Sequence, residues 1–314
     1  MEKQSTDTLM MIRPINFRFN EQTAINNYYQ RVIDGIKPEE VKYKAVQEFD
    51  RFVEKLRAKK IRVIVIDDSE DTDTPDSIFP NNWISFHQDG RVGLYPMFAE
   101  NRRIERRKDI LRKLQQNYGL KISEIVDFTT YEAENKFLEG TGSMILDRPN
   151  GIVYAAISVR TDEKVLQEFC EKFDYKAVKF VAKQTVDNQR LPIYHTNVMM
   201  CVADNFAILC ADAIDDEAER KAVIQSLENT GKEVIEISEN QEHHFAGNML
   251  QVKSIDGKSY LVMSGAAHQS LKDKQLKSIE KHCEIISSSL DTIEALGGGS
   301  ARCMMAEVFL PKSS

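Results

Sequence analysis

Apolar, strand-like runs alternate with charged, helix-like runs from one end of this chain to the other, with no low-complexity tract or proline-rich linker between them. Thr8 to Arg13 reads as a strand. Glu39 to Arg57, with Val46, Phe49, Phe52, Val53 and Leu56 at helical spacing, reads as an amphipathic helix, and Arg62 to Ile66 follows as a buried strand. A second round runs through strand Val92 to Tyr95, helix Arg103 to Tyr118 and strand Ile122 to Phe128. A third has strand Ile152 to Ser158, helix Asp162 to Phe173 and strand Ala177 to Val181. A fourth runs from Asn197 through Phe206 to Cys210, helix Asp215 to Asn229 and Glu233 to Ile237. The fifth uses Met249 to Val252, Tyr260 to Ser264 and helix Leu271 to His282, before a terminal strand Arg302 to Leu310. Rounds of two strands, a helix and a strand, each roughly 50–70 residues long, predict an α/β repeat rather than a short solenoid repeat. In a closed ring of such units, the turns between strands converge on one mouth. Functional residues concentrate on loops held by a rigid scaffold, so the polar clusters in those turns are to be read as one site.

Composition narrows the function. A chain of 314 residues, 42% hydrophobic, can bury a full core, and the unbroken pattern predicts one domain over 1–314. A net charge of -7 argues against a nucleic-acid partner, which needs a basic surface. Five scattered cysteines without a CxxC predict reduced thiols and a cytoplasmic setting. The polar start carries no secretion signal, and no stretch approaches the roughly 20 apolar residues that span a bilayer, so no membrane partner is expected. His243-His244 has no second ligand cluster nearby, which argues against a metal.

Six clusters carry the chemistry. Gly297-Gly298-Gly299-Ser300-Ala301-Arg302-Cys303 joins a glycine run to a thiol beside an arginine. Glycines expose backbone N–H groups, and a neighbouring cation favours the thiolate, so this stretch can seat a nucleophile and an oxyanion; a glycine turn before a buried cysteine is the ordinary alternative. Asp76-Ser77-Ile78-Phe79-Pro80-Asn81-Asn82-Trp83 gathers a carboxylate and two amides, or is an Asx-rich turn. Asn101 to Arg107 is either a solvated basic helix start or an arginine fork for a carboxylate, for which Arg102 or Arg103 qualifies. Glu139-Gly140-Thr141-Gly142 can place an acid beside a histidine. Arg160 closes an apolar strand, where a charge needs a partner. His195, in a turn entering a buried strand as Cys303 does, suits a general acid/base for a distant thiol.

These motifs, in this order over nearly the whole chain, resemble the guanidine-modifying hydrolases and transferases: arginine deiminase, dimethylarginine dimethylaminohydrolase, succinylarginine dihydrolase and the amidinotransferases. Asp76 to Asn82 is similar to the family's Asp-Ser-Val-Phe-Val-Glu-Asp segment, Asn101 to Glu105 to its Ser-Arg-Arg-x-Glu, and Ser158 to Thr161 to its Ser-x-Arg-Thr. Glu139 to Gly142 stands where the family has Glu/Asp-Gly-Gly-Asp, and His195-Thr196-Asn197 resembles His-Leu-Asp. The bacterial citrulline utilization hydrolases are the most similar subgroup. The resemblance implies a pentein fold, a five-bladed α/β propeller of ββαβ-type units with the site at its centre. It implies Cys303 as nucleophile, His195 as proton carrier and Glu139 as the acid that orients it. It further implies Arg102 and Arg160 as ligands of the substrate α-carboxylate, and Asp76, Asn81, Asn82 and Asn197 around the reacting group. No metal or organic cofactor is implied, the partner is a small amino acid, and self-association stays open.

Deiminases grip a guanidinium with two aspartates at the positions of Asn82 and Asn197, and the last acid of Gly-Gly-Asp is Gly142 in this chain. Neutral amides donate and accept, which suits a ureido group. A ureido carbonyl set against buried carboxylates would be an unpaired contact costing about 1–3 kcal/mol. The expected reaction is hydrolysis of citrulline to ornithine, ammonia and carbon dioxide. The alternatives are hydrolysis of arginine or an N-substituted arginine, then an amidinotransferase, then a non-catalytic pentein binder.

Overall fold

The computed structural model describes residues 2–33 and 35–313; Met1, Asp34 and Ser314, which the single-domain expectation over 1–314 includes, lie outside the described residues. Five three-stranded sheets repeat one plan: an antiparallel pair, a helix, then a third strand parallel to the middle one. Ile84–Phe86, Arg91–Leu94 and Glu124–Asp127 form one sheet, and Ile145–Asp147, Ile152–Ala156 and Lys176–Phe180 the next. Met200–Val202, Phe206–Leu209 and Glu233–Glu236 follow, then Leu250–Lys253, Ser259–Ser264 and Glu284–Ser288. The remaining sheet joins the two ends of the chain. Its middle strand Thr8–Arg13 pairs in parallel with Arg62–Asp67, while Ala306–Glu307 pairs antiparallel on the other side, Met10 opposite Ala306. The alternating pattern predicts such an α/β repeat, and the five-unit plan is the one the resemblance implies.

The helices form where their buried faces repeat. Pro38–Ala58 starts with proline at its first position and buries Val41, Ala45, Phe49, Phe52, Val53 and Leu56. Asp162 and Asp216 cap Glu163–Phe173 and Glu217–Asn229 by accepting backbone N–H bonds.

Three expectations change. The helix expected from Arg103 to Tyr118 divides into a 3-10 segment, Glu100–Glu105, and a helix, Lys108–Tyr118, because Arg102 and Glu105 turn inward. The helix expected from Leu271 to His282 is Asp273–Glu280, since Leu271 ends a preceding helix, Gly265–Ser270. The terminal strand contracts to Ala306–Glu307, and the glycine run before it closes a helix, Asp291–Gly297, with Gly298 left-handed at φ 61°. A further hairpin, Lys183–Val186 with Gln189–Pro192, turns through Asp187 and Asn188, both at positive φ, as a type I′ hairpin turn requires.

The short first strands stand at the centre. Ala306–Glu307 packs beside Ile84–Phe86, and Met200–Val202 touches both Ile145–Asp147 and Leu250–Lys253. Ile84–Phe86, Ile145–Asp147 and Met200–Val202 are buried along their whole length. The middle strands are buried almost as fully but are four to six residues long and read as apolar runs, whereas most inner strands have only two or three residues, too few for a run to stand out.

Candidate active site

Each inner strand is entered through a tight turn, and the five turns are in register. Asn81, Gly142, Asn197, Gly247 and Cys303 each stand three residues ahead of the strands that open at Ile84, Ile145, Met200, Leu250 and Ala306. The thiol's counterpart is therefore Asn197, two residues beyond His195. The two glycines let other groups close in. A Cβ on Gly142 would lie 2.5 Å from Asn82 Nδ2 and 2.8 Å from His195 Nδ1, and one on Gly247 would lie 2.5 Å from the Met199 backbone carbonyl carbon. The missing acid at Gly142 thus gives His195 and Asn82 their room.

His195, Glu139 and Cys303 are all buried, and His195 and Cys303 line the same cavity. His195 Nε2 lies 2.7 Å from Glu139 Oε2, while Glu139 Oε1 accepts the Phe98 N–H at 2.9 Å. Burial works against the Glu139 charge, but Arg160 and then His195 outweigh it and hold the carboxyl well below the usual carboxylate range. Burial pushes the imidazole of His195 down to about 4, against the pull of Glu139. The ring is thus neutral, Nε2–H donates to Glu139, and Nδ1 is left as the acceptor.

Around Cys303, Asn197 Nδ2 and Asn248 Nδ2 lie 3.3 and 3.2 Å from Sγ. Arg302 is not the thiol's cation: its Nη1 donates to Met305 O at 2.9 Å and its Nη2 to Glu307 Oε2 at 2.9 Å. The Gly298 and Cys303 N–H groups are also committed, to Glu294 O and Ser300 O at 3.0 Å each, so they are not open oxyanion donors. The other four cysteines are buried core thiols; burial raises Cys170 and Cys283 to about 11 and Cys201 to about 12, and pushes Cys210 up further.

The two arginines differ. Arg102 lines the cavity, but its guanidinium is engaged by protein. It forks onto Glu105 with two 2.9 Å bonds, donates to Asn82 Oδ1 at 2.8 Å, and reaches the Asp76 and Phe79 carbonyls. Arg103 donates to Met97 O, faces Glu132, and is absent from the cavity wall. Arg160 sits 4.7 Å over the Tyr194 ring and 3.4 Å from Glu139 Oε2. Its Nη2 donates to Thr23 O at 2.9 Å and to Asn26 Oδ1, and its Nε to Asn26 Oδ1 at 2.9 Å, so two neutral oxygens occupy the edge on which a carboxylate could fork.

Those oxygens belong to a strap, Asn20 to Arg31, laid over the mouth. Asn20 Nδ2 and Thr23 Oγ1 donate to Asp76 Oδ2 at 2.7 and 3.1 Å, Asn27 reaches the Gly297 and Gly298 carbonyls, and Tyr29 OH donates to the buried Glu242. The enclosed space is about 10 Å3, room for about one water. That space is too small for an amino acid while the strap lies over it. Buried polar atoms of the site lack partners among the described residues: Asp76 Oδ1, Asn81 Nδ2 and Asn197 Oδ1.

The structure brings Asp76, Asn82, Arg102, Arg160, His195 and Cys303 to one cavity, with Glu139 and Asn197 directly behind His195 and Cys303; Asn81 is buried beside Gly140 and Thr141, off the cavity wall. Sequence reasoning missed the strap residues Asn20, Thr23, Asn26 and Asn27, and also Tyr194, Glu105 and Asn248. Only Asn248 had a usable signal: it stands one residue after a glycine and, like Asn82, two ahead of an inner strand.

A buried thiol, a neutral histidine on a carboxylate and a sequestered arginine thus meet at the centre of five ββαβ units. The chain matches the model of the family described as "N,N dimethylarginine dimethylhydrolase, eukaryotic" over residues 13–310, and it belongs to that family, within the pentein superfamily of guanidino-group-modifying enzymes. No curated protein matches it. Among solved structures it is similar to ArgZ, an arginine dihydrolase from the ornithine-ammonia cycle in cyanobacteria, at 15% identity and a TM-score of 0.72; 98% of this chain covers 41% of that one. The isolated N-terminal domain of ArgZ, bound to substrate, is covered to 99% by 96% of this chain at 15% identity and a TM-score of 0.68. A dimethylarginine dimethylaminohydrolase variant in adduct with S-methyl-L-thiocitrulline is 12% identical with a TM-score of 0.61; 96% of this chain covers 98% of it. The chain thus spans about two-fifths of the length of the full ArgZ chain. No helix among the described residues is long and apolar enough to cross a membrane.

Proposed function

We propose that this chain, acting as a single catalytic domain, hydrolyses the guanidino group of arginine, or of an N-substituted arginine, through to ornithine. The observation that carries this over the citrulline expectation is Asp76. Its carboxyl lines the cavity with Cys303, and Oδ1 has no partner among the described residues. Burial raises its pKa, and Arg102, Asn20 and Thr23 act against that rise. An acceptor left open in a buried site calls for a donor, and a guanidinium supplies several on a cation. The names of similar solved structures, an arginine dihydrolase among them, support the same choice.

The chemistry follows from the side chains. Cys303 Sγ bonds to the central guanidino carbon, the thiol proton passing to His195 Nδ1, which returns it to the departing nitrogen. Ammonia leaves, or an amine from a substituted substrate. Water, deprotonated by His195, attacks the thiol-bound carbon and releases a ureido group. A second round on that group releases a second ammonia and carbon dioxide. The balance is arginine and two waters to ornithine, two ammonia and carbon dioxide. Glu139 stabilises the imidazolium formed at each transfer. Arg160 takes the α-carboxylate once the strap oxygens give way, and Arg102 holds Asn82 in place.

Citrulline hydrolysis is the second reading, favoured by Asn82 and Asn197. In a two-round reaction both observations have a use: Asp76 receives the guanidinium and the amides retain the neutral ureido group. The test is to incubate purified protein with arginine, asymmetric dimethylarginine and citrulline, and to quantify ornithine, citrulline, ammonia and dimethylamine. Two ammonia per ornithine from arginine is expected. Citrulline accumulating as end product would indicate a deiminase, ornithine from citrulline alone would restore the second reading, and no turnover of any would overturn both.

A further inference from the structure

Asn248 belongs to none of the motifs that carry the family resemblance, yet its side chain touches the thiol. It is completely buried. Its Oδ1 accepts the Arg302 N–H at 2.9 Å, and its Nδ2 lies 2.9 Å from Asn197 O and 3.2 Å from Cys303 Sγ. These partners settle which way the amide faces. A backbone N–H can only donate, so the atom it meets is the oxygen; a backbone carbonyl can only accept, so the atom it meets is the NH2 group. The sulfur is therefore faced by a donor whose orientation is held at two points.

The setting makes that donor consequential. The arginine next in sequence to Cys303 is turned onto Glu307, so it does not supply the hydrogen bond. Asn197 is the other amide on the sulfur, but its Oδ1 has no partner among the described residues, so its amide is less firmly held. Asn248 is carried into contact by Gly247, whose bare Cα packs on the backbone of Val198 and Met199. One side chain thus ties three of the five turns together: its own, the His195–Asn197 turn through Asn197 O, and the nucleophile's turn through Arg302 N.

We propose that Asn248 is a catalytic residue: it donates a hydrogen bond that stabilises the Cys303 thiolate and fixes the nucleophile's turn against the turn that carries His195. This rests on the reading of Cys303 as nucleophile. Hydrogen bonding to the charged form of a group favours that form, and bonds to an ion are the stronger kind.

The test is the pH dependence of iodoacetamide labelling at Cys303, read by peptide mass spectrometry on the full chain, beside steady-state kinetics. Asn248→Ala removes the donor and the turn contact. Asn248→Asp keeps the size and the acceptor for Arg302 N–H, but sets an acceptor against the sulfur. In Asn248→Ala, labelling at neutral pH should slow about ten-fold and recover at alkaline pH, the profile moving up by about one pH unit. Asn248→Asp should move it further, and kcat should fall in both with KM nearly unchanged. A Cys303 labelling profile like that of the unmodified protein in the Asp variant overturns the proposal even if turnover falls. Should Cys303→Ser keep its turnover, the nucleophile reading itself fails; a dead Cys303→Ser beside unaltered Asn248 labelling profiles removes only Asn248 as the thiolate's donor.

Discussion

The two ends of the cavity are built differently. At one end, Cys303, Asn197, Asn82 and Gly142 sit on turns that run directly into buried central strands, with Asn197 Nδ2 on Cys303 Sγ and Asn82 Oδ1 held by Arg102. At the other end, Arg160 is flanked by Phe98 and Tyr194 and met by a strap that belongs to no sheet. A site anchored in strands holds a geometry, whereas a segment fastened by side-chain and carbonyl hydrogen bonds can exchange them with a ligand. Under the proposed function, the first end would select the reacting group and the second would admit the substrate.

Replacing the thiol breaks the rigid end most severely: Cys303→Ser should lower ornithine formation by roughly 10^4-fold or more, with the fold intact by circular dichroism. Gly142→Ala should come next. Its Cβ would collide with His195 and Asn82, and a displacement of about 1 Å can cost on the order of a hundred-fold in kcat. Arg160→Ala should cost kcat/KM about as much, chiefly through KM, because its partner is an unreacting carboxylate; a loss confined to kcat would erase the distinction between the ends. The double variant Asn82→Asp, Asn197→Asp should accumulate citrulline from arginine, its second step slowed about ten-fold or more by acceptors facing the ureido carbonyl. Asn26→Ala should have the smallest effect, a few-fold decrease in KM, since it removes an internal competitor for Arg160.

Acid stability gives a separate reading of the rigid end. An unfolded imidazole titrates at about pH 6.5, whereas burial takes folded His195 down to about 4. The unfolded chain therefore takes up the proton first. The contribution is fully present above about pH 6.5 and is lost as the pH falls toward 4, at up to ~1.4 kcal/mol per unit. Urea midpoints followed over that range should fall more steeply in the unmodified protein than in His195→Gln, and parallel curves would refute a neutral buried histidine.

Much of this organisation was legible in the sequence because periodicity survives wherever an element has one buried face. The helix Pro38–Ala58 shows it, and the middle strands, buried on both faces, are legible instead as unbroken apolar runs. The inner strands show neither, being short and buried throughout, and so the register of the five turns was visible only in part: His195 looked like the counterpart of Cys303, and the counterpart is Asn197. Arg302 misled for a related reason. Adjacency in the chain places a side chain near its neighbour's backbone, not its sulfur, and Glu307 competes for the guanidinium. Arg102 appeared as a ligand for a carboxylate and does fork one, but that carboxylate is Glu105, three residues on, a pairing that leaves no mark distinct from a solvated basic stretch. The strap could not be read, because its hydrogen bonds reach partners far along the chain.

The pairing of Ala306–Glu307 with Thr8–Arg13 has a consequence for how the protein is made. The segment that places Cys303, the proposed nucleophile, docks against a strand synthesised almost three hundred residues earlier. Domains emerge from the ribosome in chain order, at about 5–20 residues per second, so four sheets can form while the fifth still lacks its inner edge. Until that gap is filled, Asn248 and Asn197 have no sulfur to meet. The active site is therefore the last thing the chain completes, and a nascent or C-terminally clipped molecule can be largely folded yet chemically silent.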